Sequence, residues 1–447
     1  MTCIHGWMRL SKTENIVPLY LQNCFRITMS LSFQCRAIAA AIMGRNAYKV
    51  EVLPYEAHER PKALVDGEVD VMFNFVSQTM EAEVYDESVQ QAISFASPYL
   101  VYDTHFSGRP DMVTCADNGL RYIQECSDIK VCIHGTNIYF DLIGLQLPRD
   151  HILQTTDIQA SVKSFMMQEC NVIHCAAFFQ IQQIMSAFNY NGEFHSSDHP
   201  YTINSLNPVT RSDDPMWTWF VDWVVQSTFE AERVGITMDN VDDDPQGQQQ
   251  PRFVHTNVFG DEYQNMFYDA IATSGNFQEM YERRINPQFL KRPAMSYGVN
   301  SADSGMMRSR TFGKMELLGP APHTDGTMAM VASKGALQCG ITASQPGFAV
   351  KVIQQENGTA TVAYQGMDVD YCRAIAAAIL GNPDLVEFIN LNSTQEGFTL
   401  LHEERIDVLA GASWNLVNAA REPTTGVGFS FSRPYFYNSS VFLQPGR

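Results

Sequence analysis

Residues 35–42 read Cys-Arg-Ala-Ile-Ala-Ala-Ala-Ile, and the same eight residues recur 337 positions later, at 372–379. Self-similarity at long range constrains a fold more than any local pattern, because two copies of one supersecondary unit must solve the same burial problem twice. The match runs on. Gly44 answers to Gly381, Val50-Glu51-Val52 to Val386-Glu387-Phe388, Val69-Asp70-Val71 to Ile406-Asp407-Val408, and Phe95-Ala96-Ser97-Pro98-Tyr99 to Phe431-Ser432-Arg433-Pro434-Tyr435. The offset slips by one residue between the last two pairs, a single deletion in the second copy.

That second copy displays the design of the unit. Leu337 to Thr342 is a short apolar run ahead of a Gln-Pro-Gly turn, a buried strand leading into a loop. Asp370 offers a helix N-cap, Ile375 and Ile379 repeat at i, i+4, and Gly381-Asn382-Pro383 supplies a stop. Val386 to Ile389 reads as a strand, 395 to 404 as a helix with Phe398 and Leu401 turned inward, and Ile406 to Leu409 as a strand. The order βαβαβ predicts a parallel sheet with helices on both faces and a ligand crevice at the carboxyl ends of its strands. On this reading the octapeptide is scaffold, a small-residue helix packed on a sheet.

Composition narrows the function. The chain has 447 residues, too many for one core, and is 45% hydrophobic with 18% charged residues, so it folds. Thirty Lys and Arg against 49 Asp and Glu leave a formal charge of -19, the wrong sign for a nucleic-acid partner. The longest apolar runs, such as Met216 to Val225, are broken by Asp222, so none is long enough to cross a bilayer, and no secretory signal is legible in the first 34 residues. Motifs for a nucleophile elbow, a phosphate-binding loop, a zinc protease and a dinucleotide fold are absent from the sequence. His402-Glu403-Glu404 reads as a solvated helix face, and Asp239 to Gln250 as a solvated loop.

Gly366-Met367-Asp368-Val369-Asp370-Tyr371-Cys372-Arg373-Ala374, with Leu337-Gln338-Cys339-Gly340-Ile341 and Pro346-Gly347-Phe348, resembles the first strand and helix of general L-amino-acid binders. These belong to the amino-acid-binding branch of the bacterial periplasmic solute-binding proteins, the receptors of ABC importers. Lys130-Val131-Cys132-Ile133-His134-Gly135-Thr136 resembles the opening of that family's second lobe. Pro208-Val209-Thr210-Arg211-Ser212-Asp213-Asp214 with Trp217 resembles the return into the first lobe, and Gly275-Asn276-Phe277 with Met280-Tyr281-Glu282-Arg283 its closing helix.

The resemblance implies an α/β, type II periplasmic-binding-protein-like fold, two lobes joined by two hinge strands, plus an extra partial lobe-one copy. Its parts would be an unrelated segment 1–31, lobe one over 32–107 and 205–325, lobe two over 108–204, a linker 326–336, and a truncated lobe-one copy over 337–447. The first copy would lack the opening strand, and the second would stop at the hinge. The implied partners are a small-molecule solute, amino acid or related carboxylate, and an ABC-importer membrane component. No cofactor and no catalysis are implied, and the setting is periplasmic or extracellular. Some proteins of this fold class resemble dehydratases, for which Glu81 and Glu83 would be the carboxylates.

A zwitterion in a dry cleft needs a cation for its carboxylate and an anion for its ammonium. Where the family has the carboxylate-binding Arg, three residues after a Thr, this chain has Ala82 after Thr79 in the first copy and Asn418 in the second; where it has the ammonium-binding Asp, six residues after a Cys, there is Ala176. Each lost member of such a pair costs roughly 2 to 5 kcal/mol, so together they weaken binding by about three to seven powers of ten. The remaining candidates are Thr79 and Glu81 in the loop after the third strand, and Gly135, Thr136 and Asn137, whose backbone N–H groups and hydroxyl suit an anion. Phe348 and Trp414 suit apolar pocket walls, and Arg421 suits a displaced cation. Cys132, His134, Cys170 and His174 fall on neighbouring strands by the same resemblance. Strand alternation puts Cys132 and His134 on one face and Cys170 and His174 on one face, which leaves three readings open: a tetrahedral zinc site, a Cys132–Cys170 disulfide that the resemblance favours, or buried free thiols. Cys339 with Cys372 is a second candidate bridge.

Overall fold

The computed structural model describes the chain except residues 1, 5–33, 46–50, 54, 56–58, 74–77, 79–82, 85–88, 118–126, 135–146, 157, 176–189, 199–200, 244–254, 285–325, 357–358, 423 and 437–447. The chain divides into two compact units, Met1–Gly319 with Tyr435–Arg447, and Pro320–Pro434.

Unit one holds two sheets. The first contains β1 (Thr2–Ile4), β2 (Glu51–Leu53), β3 (Val71–Phe73), β4 (Ile93–Phe95) and β11 (Pro208–Arg211) in the order β2-β1-β3-β11-β4. β1 runs parallel to both neighbours, with Cys3 opposite Val52 and Val71. The expectation that the first copy lacks an opening strand is corrected here: Thr2–Ile4 fills the central position of the parallel set. Three residues carry no readable period, and they become a strand because β2 and β3 flank them with open ladders. Helix α1 (residues 34–43) contains the first octapeptide, with Ala37 and Ile38 fully buried, and α2 (Arg60–Val65) precedes β3.

The second sheet contains β5 (Leu100–Gly108), β6 (Val131–His134), β7 (Ile152–Thr155), β8 (Val172–Cys175), β9 (His195–Ser196) and β10 (Thr202–Leu206), in the order β10-β5-β8-β6-β7 with β9 on β5. Phe106, Val131, Ile133 and Val172 fill one of its faces, under α3 (Pro110–Asp117). Cys132, Cys170 and Ile173 line the other, beneath α4 (Ile158–Met166). The chain leaves the first sheet after β4 along β5 and returns along β10 into β11. These two strands pair antiparallel, Leu100 with Leu206 through Thr104 with Thr202. Two sheets connected by one antiparallel pair of strands is the type II arrangement.

The return segment supplies helices. α5 (Pro215–Val234) starts on Asp214, whose side chain accepts from the Trp217 N–H, and stops at Gly235 in the left-handed region, φ 77°. It packs on α6 (Met266–Ser274) through Ala231, Ile236, Val241 and Ile271, and α7 (Phe277–Arg284) closes the run.

In unit two, residues 327–334 of the expected linker form helix α8 (Thr327–Lys334), capped by Gly335. Strands β12 (Leu337–Ile341), β16 (Val386–Asn390) and β17 (Val408–Leu409) form a parallel sheet in the order β16-β12-β17, with Cys339 opposite Phe388 and Val408. Between β12 and β16 lie β13 (Ser344–Gln345), a long hairpin of β14 (Ala349–Glu356) and β15 (Thr359–Gln365), and helix α9 (Met367–Leu380). The N-cap of α9 is Gly366, four residues before the expected Asp370, because the first free N–H groups of the helix have backbone partners: Met367 donates to Gly347 and Asp368 to Phe348. Gly381 ends it at φ 72°, as the stop signal predicts. α10 (Thr394–His402) buries Phe398 and Leu400 and leaves His402, Glu403 and Glu404 in water. α11 (Leu416–Arg421) follows β17. Among the described residues no helix is long and apolar enough to cross a membrane.

Candidate functional site

In unit two the crevice rule points to the carboxyl ends of β12 and β17, which are neighbours: the Ala410 N–H donates to the Gly340 carbonyl at 3.0 Å. The segment after β12 carries Phe348, half-buried, in the turn between β13 and β14, and the loop after β17 carries Trp414, 39% exposed. The two rings predicted as pocket walls thus sit on loops leaving the same end of the sheet. Behind Phe348 the packing is tight. A Cβ on Gly366, φ 133°, would lie 2.2 Å from the Phe348 carbonyl oxygen, so only glycine lets the hairpin close onto the start of α9. The Asp368 carboxylate is 2% exposed and lies under the second loop, 2.8 Å from where Gly411 would carry a Cβ.

Asn418, which stands at the family's carboxylate-binding position, is spent on the backbone: its Nδ2 donates to the Ser413 carbonyl at 3.2 Å, and its own carbonyl accepts from Phe429. Its N–H is in turn capped by the Asn415 side chain at 2.9 Å. Arg421 is the last residue of α11. Next to it, burial pushes the Glu422 carboxyl up, but the N–H groups of Thr425 and Thr424 outweigh burial and hold it below the usual glutamate value.

In unit one, Thr79, Glu81, Gly135, Thr136 and Asn137 lie outside the described residues, and of His134 only the backbone is described. Gln78, 5% exposed, donates to Glu83 and accepts from Asn207 Nδ2 at 3.5 Å. Asn207 is fully buried between β10 and β11 and also donates to the Ala96 carbonyl at 2.7 Å. Asp222, the charge that interrupts the apolar run of α5, is 7% exposed and accepts the Ser97 N–H at 2.7 Å. These three polar residues fix the crossing strands to the first sheet, and sequence reasoning missed them. The one signal available was a carboxylate inside an apolar run, which needs a specific buried partner.

The Cys and His residues resolve differently from a metal centre. Cys132 and Cys170 are bonded to each other, as are Cys339 and Cys372, and Cys35 and Cys115 are also in disulfides. Both sulfurs that a zinc site required are therefore used. His174 lies on the opposite face of the sheet from the bridge, its ring 5.4 Å from Phe106 and 5.5 Å from Tyr201. Strict alternation does not carry back to Cys170, because the chain turns at Asn171, whose side chain accepts from the Lys130 N–H and donates to the Asp128 carbonyl. Burial among these rings pushes the Tyr201 hydroxyl up to about 12. Among the described residues no group of three or more His, Cys, Asp or Glu could hold a metal ion.

No family model matches the chain. It is 31% identical over 127 residues to the general L-amino acid-binding periplasmic protein AapJ of Rhizobium johnstonii, covering 28% of this chain and 33% of that one. It is 35% identical over 141 residues to the glutamate/glutamine/aspartate/asparagine-binding protein BztA of Rhodobacter capsulatus, covering 31% of this chain and 38% of that one. The chain resembles the amino-acid-binding receptors of ABC importers. It spans about a third of the length of these curated relatives, each of which is by name a binding protein. Among solved structures it is similar to an ABC-transporter periplasmic binding protein of Brucella ovis with glutathione bound, at 19% identity and a TM-score of 0.47, covering 67% of this chain and 91% of that one.

Proposed function

We propose that the chain is a solute-binding protein of the amino-acid-importer type, which holds an amino acid or small carboxylate by closure of two lobes on the β5–β10 connection and delivers it to an ABC-importer membrane component. The observation that carries this reading is that pair of crossing strands: each sheet is complete without the other, and only β5 and β10 connect them among the described residues. Hinge closure on a ligand takes place at such connections. The names of the relatives supply the ligand class. Disulfides in both units suit an oxidising, exported setting, as for the periplasmic relative.

Binding is weak or altered in specificity, because Ala82, Ala176 and Asn418 stand where the family places its charged contacts. Thr79, Glu81, Gly135, Thr136 and Asn137 are the ligand contacts of unit one, and Phe348, Trp414 and Arg421 those of unit two. The same neutral substitutions support a second reading, in which the module binds nothing and persists as a fold or an interaction surface. Calorimetric titration and thermal shift with a panel of amino acids and small carboxylates separate the two. Heat and a melting shift for at least one compound support the receptor, and silence across the panel leaves the non-binding module.

A further inference from the structure

The crossing strands of unit one do not run through in a single register. In the first sheet β4 and β11 pair with Phe95 opposite Val209, and beyond it β5 and β10 pair with Leu100 opposite Leu206. Hydrogen bonds carry each ladder up to the seam: the Ala96 N–H donates to the Pro208 carbonyl at 3.0 Å, and the Tyr99 N–H to the Leu206 carbonyl at 2.9 Å. Residues 207 and 208 are neighbours in the chain whereas 96 and 99 are not, so Ser97 and Pro98 are extra on the outgoing strand. Such a bulge leaves its extra residues outside the ladder and bends the strand. It lies where the chain passes from the first sheet to the second.

Side chains of the first lobe take up what the bulge releases. Pro98 has no N–H. The Ser97 N–H donates to Asp222 at 2.7 Å, and the Ala96 carbonyl accepts from Asn207 Nδ2 at 2.7 Å. The other end of the Asn207 amide accepts the Ser205 hydroxyl at 2.7 Å, so the side chain spans from β10 to the far side of the seam. α5, which carries Asp222, is itself fastened to the first sheet: the Trp217 indole N–H donates to the Asp70 carbonyl at 2.9 Å, and the hydroxyls of Thr218 and Thr210 hydrogen-bond at 2.7 Å. Asp222 follows Thr218 by one turn on the same side of the helix. It therefore reaches the bulge from a support that belongs to one lobe.

We propose that the Ser97-Pro98 bulge is the pivot of lobe closure, and that Asp222 and Asn207 are positioning residues that set its angle and with it the balance of open and closed forms. This rests on the closure reading above and adds what controls it. A hinge concentrates its backbone change in a few residues between rigid elements. Here the ladders are intact up to Ala96 and from Tyr99 onward, so the change falls on the two residues between them. Buried hydrogen bonds from one lobe select one bend among those the bulge permits, and a solute that binds the closed form works against or with that preference. Affinity then depends on residues that never touch the solute.

The test uses the full chain with a nitroxide on a ketone-bearing amino acid at two exposed positions, Met216 at the start of α5 and Met167 just after α4, and reads their separation by pulsed electron resonance. In Asp222→Ala and in Asn207→Ala the ratio of long to short separations is expected to change by about fivefold or more without any ligand, because a buried hydrogen bond at the pivot is lost. Asp222→Asn, which keeps the acceptor oxygen, is expected to keep the parent's distribution. Thr210→Val removes the hydroxyl pair with Thr218 and leaves the bulge untouched; it is expected to melt lower with its separations unchanged. Should Asp222→Ala fail to fold, Asn207→Ala carries the comparison. Separations in the alanine variants that match the parent overturn the proposal, as does an equal change in Thr210→Val. If amino acids or small carboxylates shorten the separation in parent and alanine variants alike, the pivot falls and the receptor reading stands. If none of them moves the parent while the alanine variants differ from it, the pivot stands and the receptor reading falls.

Discussion

Ile38 and Ile375 occupy the same place in the same eight residues, yet the first is fully buried and the second 37% exposed. Local sequence settles what is common to them. Four alanines in eight residues make a helix wherever the ends are capped, and cysteine on the inner face docks it on the sheet. What covers the outer face depends on the rest of the chain: in unit one that face is enclosed and Arg45, just past the helix, meets Asp242 and Tyr268, whereas in unit two the same stripe is exposed. An internal repeat therefore predicts an element well and its burial poorly, because burial belongs to the neighbours.

The largest test of this contrast is a matched pair of substitutions. Ile38→Asp places a carboxylate where no water reaches, and is expected to cost on the order of 4 kcal/mol or more, through the lost side chain and the unpaired charge. Ile375→Asp is expected to cost about 1 kcal/mol or less, as a surface change. Denaturant midpoints of the two variants check it, and similar losses would break the comparison.

Next in size is the bridge from the octapeptide of unit two. Cys339 and Cys372 are 33 residues apart, and replacing both by alanine is expected to remove about 3 to 4 kcal/mol by freeing the unfolded chain. Cys132 and Cys170, 38 apart, are expected to behave alike. Alkylation without reductant should leave all four cysteines unmodified, and labelling at any of them would refute the pairing. Reduction followed by a melt then shows whether the two units depend equally on their bridges.

Much of this architecture was legible beforehand. The existence of helix α9 and its glycine stop, the parallel strands β12, β16 and β17, and the exposure of His402 follow from period and punctuation, while the start of α9 does not. The hairpin β14–β15 was not legible, because its cross-strand pair Ile353 and Val362 is 69% and 53% exposed and obeys no inside–outside alternation. That Phe348 and Trp414 follow strands could be read from the sequence. Gln78, Asn207 and Asp222 could not, since their partners lie 129, 111 and 125 residues away and only the folded chain brings them together. Asp222→Ala tests the last of these: the Ser97 N–H loses its acceptor, at an expected cost of roughly 1 to 3 kcal/mol. Asp222→Asn, which keeps an acceptor oxygen, should recover most of it, and equal losses in both variants would mean that charge rather than the hydrogen bond matters.

The smallest effect concerns the polar tie that α1 has and α9 lacks. Arg45 is matched in unit two by Asn382, so the contact with Asp242 and Tyr268 exists in one copy only. The hydrogen bond from Arg45, helped by that from Tyr268, lowers the Asp242 carboxyl from 3.8 to about 2. A carboxyl more acidic in the folded chain stabilises it above the unfolded value, and that contribution fades as the pH falls from about 4 towards 2. The groups are largely exposed and screened, so Asp242→Asn is expected to cost less than about 1 kcal/mol at neutral pH. The variant should converge with the parent in melts taken at the acid end of that window. If instead the gap between them widened on acidification, the carboxylate would be destabilising the folded state, and the tie between α1 and α6 would rest on the Tyr268 hydroxyl and the Arg45 guanidinium over its ring, 4.9 Å from the centroid.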